Sequence, residues 1–251
     1  GANQTINVNA SSNATVAAPT GTGGTFNYNL VSVAYQTSPT CSNNITGTAT
    51  ITVTPTVGTP TTPTPSGSSI CQGSANTTYT TSATNATSYN WSVTGSGNSI
   101  SGTGNTGTVT WAAGFSGTAT VSVTANGCNG PSAAASTTVI VRPTPTASIS
   151  GTTTVCQNAT SPNVTFTNPQ SLAVTVTYNI NGGANQTVNV NASSNATVAA
   201  PTGTAGTFTY NLVSVVYQAA PACTNSITGS ATITVSPTSA GGTAASAHDI
   251  C

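Results

Sequence analysis

Hydrophobic residues alternate with small or polar ones through much of the chain. In the segment LAVTVTYNI, from Leu172 to Ile180, every second position is apolar or aromatic. The segments YNWSV (89–93), TATVSVTA (118–125) and SATITV (230–235) repeat this spacing. A period of two carried by β-branched residues is typical of strands that bury one face. Glycine or proline interrupts the chain every few residues, so the pattern predicts an all-β protein without helices.

A long internal repeat divides the chain. Residues 1–56 align with residues 183–238 without a gap, and 45 of the 56 aligned pairs are identical. Between the two copies, SGSSICQGSANTTYTT (66–81) and SGTTTVCQNATSPNVTFT (150–167) share a Ser-Gly, a run of small residues and a Cys-Gln before a strand. Such self-similarity predicts an array of units. We call the units that contain the long repeat first-type domains and the intervening units second-type domains.

The repeat predicts four segments. Residues 1–56 are expected to be the C-terminal part of a first-type domain, followed by a complete second-type domain at 57–143. A complete first-type domain follows at 144–237, and 238–251 is expected to begin a further second-type domain. We therefore expect the chain to be part of a longer tandem array. The alternative is a subunit with these natural ends that assembles into a filament across them.

Each complete domain carries one early and one late cysteine, which predicts one internal disulfide per domain. The predicted pairs are Cys71 with Cys128, and Cys156 with Cys223. Cys41 and Cys251 are then a late and an early cysteine whose partners lie in neighbouring units or subunits. None of the six cysteines has metal-binding spacing, so the set indicates an oxidising compartment.

The units meet the sequence criteria for immunoglobulin-like β-sandwiches. Each offers about seven short strands with turn signals between them, together with an early and a late cysteine. In the second-type domain, Trp91 lies between the two cysteines and is expected to be a core residue near the disulfide. Tyr178 is expected to take that core position in the first-type domain.

The second-type domain resembles a known family. The stretch TSATNATSYNWSVTGSGNSISGTGNTGTVTWAAGFSGTATVSVTANGCNG (81–130) is similar to the PKD-like and Ig-like repeats of giant secreted surface adhesins of gliding bacteria. The segment TPTASISGTTTVCQNATSPNVTFT (144–167) resembles the partner repeat of the same proteins. The resemblance implies export, filaments of tandem sandwiches, and adhesion or surface motility without catalytic residues. The acidic residues of such repeats are absent here, which argues against joints made rigid by calcium.

The chain is almost free of charge. Its 251 residues contain one arginine (Arg142), one aspartate (Asp249) and one histidine (His248). Such a chain cannot neutralise phosphates or dock on anionic lipid, which argues against nucleic-acid and membrane partners. One carboxylate cannot supply a glycosidase pair or a strong calcium site. His248 and Asp249 are adjacent, so on a strand they would point to opposite faces and not form a triad. We expect no enzyme, metal site or cofactor.

Two kinds of surface chemistry remain as candidates. Trp111 is the aromatic residue to test as a ligand platform, because an exposed aromatic row would favour a carbohydrate-binding module over a structural role. Its alternative place is the core. The candidate glycosylation sites are Asn13, Asn76, Asn90 and Asn158. Because sheet edges without lysine are poorly protected, we also expect self-association into fibres. Surface glycans are a separate candidate partner.

These observations favour a structural repeat segment of an extracellular fibre or adhesin stalk, secreted and held at the cell surface. The proline-rich segments 54–67 and 142–146 predict stiff, extended spacers between the domains. No apolar run approaches the about 18 residues of a membrane span, so we expect either a mature product or an internal piece of a longer chain.

Overall fold

The computed structural model describes residues 1–243, which contain twenty strands and no helix. The prediction of an all-β protein is confirmed. His248, Asp249 and Cys251, together with most of the predicted fourth segment, lie outside the described residues.

The strands before residue 57 form two separate antiparallel pairs. They are β1 (Gly24–Asn29), β2 (Ser32–Ala34), β3 (Ser42–Asn44) and β4 (Thr48–Val53). β1 pairs with β4, and β2 pairs with β3. The first 23 residues contain no strand, and almost every side chain before residue 57 is exposed, so this part of the chain has no core of its own.

The second-type domain is a sandwich of two sheets. Its strands are β5 (Ser68–Cys71), β6 (Thr77–Thr80), β7 (Ser88–Val93), β8 (Ser99–Ser101), β9 (Thr106–Thr110), β10 (Gly117–Asn126) and β11 (Ala135–Arg142). One sheet has the order β5-β11-β10-β7 and the other β6-β9-β8. The alternating residues of β10 and β11 bury Val121 and Val139 against Tyr79 and Val109 of the facing sheet. The period-two alternation therefore determines which side chains of these strands form the core.

The first-type domain is a larger sandwich with the same plan. Its strands are β12 (Ser148–Ser150), β13 (Thr153–Cys156), β14 (Asn163–Asn168), β15 (Val174–Ile180), β16 (Gln186–Val190), β17 (Ser194–Ala199), β18 (Gly206–Tyr217), β19 (Thr224–Ser226) and β20 (Ser230–Ser236). One sheet has the order β12-β14-β17, and β13-β20-β18-β15-β16 form the other, with β19 beside β18. Tyr178 lies in the core, with its ring centroid 4.9 Å from that of Phe166 and 6.0 Å from that of Tyr210.

In both domains a short edge strand runs parallel to the closing strand. β5 pairs with β11, which places Cys71 opposite Arg142, and β13 pairs with β20, which places Cys156 opposite Ser236. The early cysteine therefore lies at the end of the sandwich from which the chain leaves, here called the trailing end. The preceding long strands, β10 and β18, run antiparallel to the closing strands. The late cysteines that follow them consequently lie at the opposite, leading end.

The first proline-rich segment is not a free spacer, contrary to expectation. The backbone of Thr61 bonds to Ser82, and Thr64 exchanges two backbone hydrogen bonds with Thr80 at the end of β6. Pro60 and Pro63 are buried between these contacts. The segment is therefore an edge of the second-type domain, which shortens the true linker to the few residues around Pro55.

Candidate functional site: the joint between the two complete domains

A disulfide joins the two complete domains. Cys71, at the end of β5, is bonded to Cys223, which precedes β19, and their Cα atoms lie 5.5 Å apart. This finding corrects the predicted pairing of Cys71 with Cys128 and of Cys156 with Cys223. The six cysteines remain consistent with an oxidising compartment, but the covalent link crosses between domains.

The strand directions explain why each domain does not close its own disulfide. Cys71 lies at the trailing end of the second-type domain, because β5 runs parallel to the closing strand β11. Cys128 follows the antiparallel strand β10 and lies at the leading end, where its carbonyl accepts a hydrogen bond from the Val57 amide. The length of the sandwich separates the two sulfur atoms. Cys223 is instead at the leading end of the next domain, where it meets Cys71.

Arg142, the one Lys or Arg residue of the chain, lies at this joint. It is the last residue of β11, and its Nη1 atom donates to the carbonyl oxygen of Ala219 at 2.8 Å and to that of Pro221 at 3.4 Å. Both acceptors belong to the loop that carries Cys223. Charged donors make stronger hydrogen bonds than neutral ones, so the guanidinium group fastens this loop beside the disulfide.

Neutral hydrogen bonds complete the joint. Gln72, next to Cys71, accepts at Oε1 from the backbone amide of Thr144 at 2.9 Å. From the other domain, Asn225 Nδ2 donates to the carbonyl oxygen of Pro145 at 3.0 Å. Pro145 is buried. The short linker at residues 142–146 is thus held from both sides, by a residue beside each of the two bonded cysteines.

The core of the first-type domain reaches the joint through Tyr217. Burial raises the pKa of the Tyr217 hydroxyl above its ordinary value, and the nearby positive charge of Arg142 lowers it in part. The hydroxyl oxygen is buried and makes no hydrogen bond with the described residues. Cys71 itself packs against the first-type core rather than against the core of its own domain. The joint therefore extends one hydrophobic core across the domain boundary.

The remaining described cysteines are free thiols. Cys41 and Cys156 are exposed, and Cys128 is half-buried. Cys156 occupies the same place as Cys71, since the amide of the following glutamine bonds to the closing strand in both domains, through Gln157 to Ser236 and through Gln72 to Arg142. Cys41 aligns with Cys223 in the internal repeat.

Trp111 does not form a ligand platform. It is 6% exposed, belongs to the core of the second-type domain, and its Nε1 donates to the Thr77 hydroxyl oxygen at 2.9 Å. Trp91 is half-buried and packs beside the same core, with its Nε1 donating to the carbonyl of Gly104 at 3.0 Å. A Cβ atom at Gly107 would lie 2.5 Å from the Trp91 ring, so the glycine makes room for the indole. Neither tryptophan lies at the disulfide.

The predicted glycosylation sites lie at the surface. All four asparagines are exposed: Asn13, Asn76, Asn90 and Asn158. Within residues 1–243, no three His, Cys, Asp or Glu side chains cluster as a metal site would require, and no helix has the length and apolar character of a membrane span.

An exposed apolar face marks the segment before residue 57. Tyr35 is 72% exposed, whereas its copy Tyr217 is 1% exposed, and Val33 is 53% exposed, whereas its copy Val215 is fully buried. The strand register is the same in both copies, since Gly24 pairs with Val53 as Gly206 pairs with Val235. The strands of this segment thus pair in the same register as their copies in the first-type domain, whereas their inner face is exposed.

Comparison with known proteins gives one family match and several solved structures with some similarity. The family model of the PKD-like domain matches residues 59–139, which fall within the second-type domain. The chain is similar in structure to titin domains I67-I69 in an E-to-A mutated variant, at 12% identity and a TM-score of 0.44, over 72% of this chain and 66% of that one. No curated protein matches the sequence.

Two further solved structures are similar to the chain. One is a Ca2+-stabilised adhesin with which an Antarctic bacterium binds ice, at 18% identity and a TM-score of 0.39, over 87% of this chain and 58% of that one. The other is mouse clustered PcdhgC3 EC1-3, at 11% identity and a TM-score of 0.41, over 86% of this chain and 77% of that one. The matched regions thus span less than two thirds of the titin and ice-adhesin chains. Residues 59–139 thus match the PKD-like model, and each of the two complete domains is a β-sandwich of two sheets.

Sequence reasoning did not find the joint as a site. It identified Cys71 and Cys223 but assigned each to its own domain, and it gave Arg142 no role. One feature of the sequence could have indicated the joint. Arg142 is the one Lys or Arg residue of the chain, and it begins the proline-rich segment 142–146 that joins the two predicted domains.

Proposed function

We propose that this chain is a structural, load-bearing segment of an extracellular adhesin stalk or fibre, built from alternating first-type and second-type domains. The observation that carries the proposal is the Cys71–Cys223 disulfide, which joins consecutive domains outside their common linker. A stalk under tension gains a second covalent path across each joint.

The position of the disulfide defines its mechanical effect. The bonded cysteines are 152 residues apart, so most of both complete domains lies inside the closed loop. Tension applied at the chain ends passes through the disulfide rather than through the linker at residues 142–146. The residues between the two cysteines then cannot be extended by the force, whereas β5, β19 and β20 lie outside the closed loop.

The exposed face before residue 57 supports the proposed domain organisation. Residues 1–56 fit the C-terminal part of a first-type domain, because strands β1 to β4 pair in the same register as their copies in β18 to β20, where the equivalent side chains are buried. In the complete domain, β15 lies beside β18 in the same sheet, and β12, β14 and β17 form the facing sheet. We propose that equivalent strands cover Tyr35 and Val33 in the assembled protein.

Secretion and surface chemistry are part of the same proposal. Disulfides persist in oxidising compartments, and the described surface contains Arg142 as its one basic Lys or Arg residue. Solubility then depends on hydroxyl and amide groups, to which glycans at exposed asparagines such as Asn13 and Asn158 would add. Edge strands without lysine favour lateral association of neighbouring stalks. Trp111 is buried, which removes the aromatic platform on which a carbohydrate-binding array depended.

Single-molecule force spectroscopy tests the mechanical proposal. The chain is pulled from handles at its two ends, first oxidised and then with reducing agent. Because the disulfide closes a loop of 152 residues, reduction should add about 500 Å to the fully extended length. The oxidised chain should show no unfolding event from the residues between Cys71 and Cys223.

A matched variant separates the disulfide from other effects of reduction. Cys71→Ser without reducing agent should give the long extension, whereas Cys41→Ser should behave as the unaltered chain, since Cys41 is a free exposed thiol. Equal extension of the oxidised and reduced chains would contradict the load-bearing role.

A further inference from the structure

The free thiols of Cys128 and Cys156 occupy the two sides of one kind of joint. We infer that they are the two halves of a second interdomain disulfide, which forms wherever a second-type domain follows a first-type domain. Cys156 lies at the trailing end of the first-type domain, and Cys128 lies at the leading end of the second-type domain. The inference rests on the proposed alternating array and adds a covalent link to its other class of joint.

The position of Cys156 follows from comparison with Cys71, which is already bonded. Cys156 lies opposite Ser236 on the closing strand, as Cys71 lies opposite Arg142. The turn that follows is also shared, because the Ala159 amide bonds to the Cys156 carbonyl as the Ser74 amide bonds to that of Cys71. Cys156 therefore occupies, in the first-type domain, the position from which Cys71 of the second-type domain bonds to its partner. Unlike Cys71, Cys156 remains an exposed thiol in this chain.

Cys128 lies at the joint near residue 56. Cys128 forms an isolated parallel bridge with Thr56, and its carbonyl accepts from the Val57 amide at 3.0 Å. Asn85 also bonds to this linker, donating from Nδ2 to the Thr56 carbonyl at 3.0 Å. Cys128 is therefore fixed against the chain that enters its domain.

The internal repeat allows the positions of Cys156 and Cys128 to be compared along the same linker. Thr54 aligns with Ser236, because residues 1–56 align with 183–238. An early cysteine equivalent to Cys156 would therefore lie opposite Thr54, two residues before the position where Cys128 is held. Strands in one sheet are about 4.8 Å apart and advance about 3.3 Å per residue, so the two cysteines meet at the same end of the linker. The chain contains each half once but no joint with both halves.

The chemistry is an exchange with a small-molecule disulfide. Oxidised glutathione forms a mixed disulfide with one thiolate and releases one reduced glutathione. The second cysteine thiolate then attacks the bonded protein sulfur and releases the other glutathione. The protein loses two protons and two electrons in total, and glutathione disulfide is reduced to two thiols.

The test uses the full chain lengthened by one natural period, with residues 1–238 followed directly by residues 57–251. This chain contains a complete first-type domain joined to a complete second-type domain. In one variant, Cys128→Ser in the first copy and Cys156→Ser in the second leave, of the two copies of Cys128 and the two copies of Cys156, only the pair that faces each other across the new joint. After oxidation with glutathione, free thiols are blocked with N-ethylmaleimide, and the monomer is digested with pepsin for mass spectrometry.

A linked peptide that joins Cys156 to the second copy of Cys128, with loss of maleimide labelling at both, is the expected result. The reciprocal variant is the matched control. It keeps Cys128 of the first copy and Cys156 of the second, which lie at distant ends, so both should be labelled. The Cys71–Cys223 peptide reports correct folding and oxidation in either variant.

Three results would overturn the inference. Cys156 and Cys128 could remain labelled although the Cys71–Cys223 peptide is present, or link equally well in the reciprocal variant. If the Cys71–Cys223 peptide is itself absent, the interdomain disulfide on which the inference is based does not form, and the inference fails as well. The first two results leave the load-bearing role of Cys71–Cys223 intact, and the pulling experiment then tests that role separately.

Discussion

Arg142 donates from Nη1 to the carbonyl oxygen of Ala219 at 2.8 Å, across the boundary between the two complete domains. In a chain with one Lys or Arg residue, that residue is used to hold the loop of the interdomain disulfide.

We expect Arg142→Ala to weaken the joint and to change the titration of Tyr217. The loss of a charged donor at a half-buried site should lower the free energy of unfolding by about 1 kcal/mol. The pKa of Tyr217 should rise further, because the positive charge of Arg142 opposes the effect of burial. Urea denaturation measures the first effect, and an NMR titration of labelled tyrosine rings measures the second.

Arg142→Lys is the matched control for this prediction. It retains the positive charge, so the pKa of Tyr217 should remain close to that of the unaltered chain, although the hydrogen bonds to Ala219 and Pro221 are impaired. An unchanged Tyr217 pKa in Arg142→Ala would show that the charge does not act on the hydroxyl.

Removal of the disulfide should destabilise both domains together. In the chain-entropy model, a closed loop of 152 residues restricts the unfolded chain by about 5 kcal/mol, shared between the domains. We expect Cys71→Ala with Cys223→Ala to lose up to this amount in urea denaturation. Cys128→Ala alters a cysteine that is free in this chain and should have a much smaller effect. Equal losses in the two variants would argue against the link.

The contrast between predicted and observed disulfides shows what the sequence could determine. Period-two alternation identified strands such as β15 and β10, because burial of one face leaves a direct pattern in the residues. The repeat predicts the domain boundaries, because two copies in one chain can be aligned without structural knowledge. Disulfide pairing depends instead on strand direction, which alternation does not encode.

The error can be traced to one strand. In an immunoglobulin-like sandwich, the early cysteine is expected one strand before the tryptophan strand. Here β6 lies between Cys71 and the Trp91 strand β7, so the early cysteine belongs to the edge strand β5. The 20-residue separation of Cys71 and Trp91 fits either arrangement. The parallel pairing of β5 with β11 then directs Cys71 to the next domain.

Substitution of Trp111 should affect stability rather than ligand binding. Trp111→Ala removes a large buried side chain and its hydrogen bond to Thr77, so we expect a loss of about 3–5 kcal/mol. Trp91→Ala, at a half-buried position, should cost less. Denaturation followed by circular dichroism compares the two. A stable Trp111→Ala chain that lost retention on a glycan array would instead restore the binding-module interpretation.

Stability should be lost on the alkaline side rather than the acid side. Burial raises the pKa of Tyr79, Tyr178, Tyr210 and Tyr217 above the ordinary 10.0. The unfolded chain therefore releases protons first as the pH rises. The contribution of these groups is complete below about pH 10 and is lost as the pH rises through the folded-state pKa values. The sequence has a single carboxylate side chain, so the acid limb should be nearly flat.

Thermal denaturation between pH 3 and pH 12 checks this profile. Tyr217→Phe should cost little near neutral pH, because the hydroxyl makes no hydrogen bond with the described residues, and it should reduce the alkaline loss. A steep loss of stability near pH 4, or an alkaline limb unchanged by Tyr217→Phe, would contradict the assignment to buried tyrosines.

The exposed face before residue 57 gives the last prediction. A copy of residues 144–182 placed directly before Gly1 restores the natural order, since residue 183 aligns with residue 1. The added strands should cover Val33 and Tyr35, whose copies Val215 and Tyr217 are buried in the complete domain. Burial of this apolar surface is favourable by about 25 cal/mol per Å², so the lengthened chain should gain a cooperative unfolding transition. Binding of a hydrophobic dye should fall at the same time.

A control chain distinguishes this specific completion from general shielding by added residues. In it, Val→Asp substitutions in the added copy at the positions of Val174 and Val176 place charges where the complete domain is dry. The control should bind dye as the original chain does and should lack the new transition. If the unaltered extension also leaves Tyr35 accessible to the solvent, residues 1–56 are not the C-terminal part of a first-type domain, and the proposed array would have to begin at residue 57.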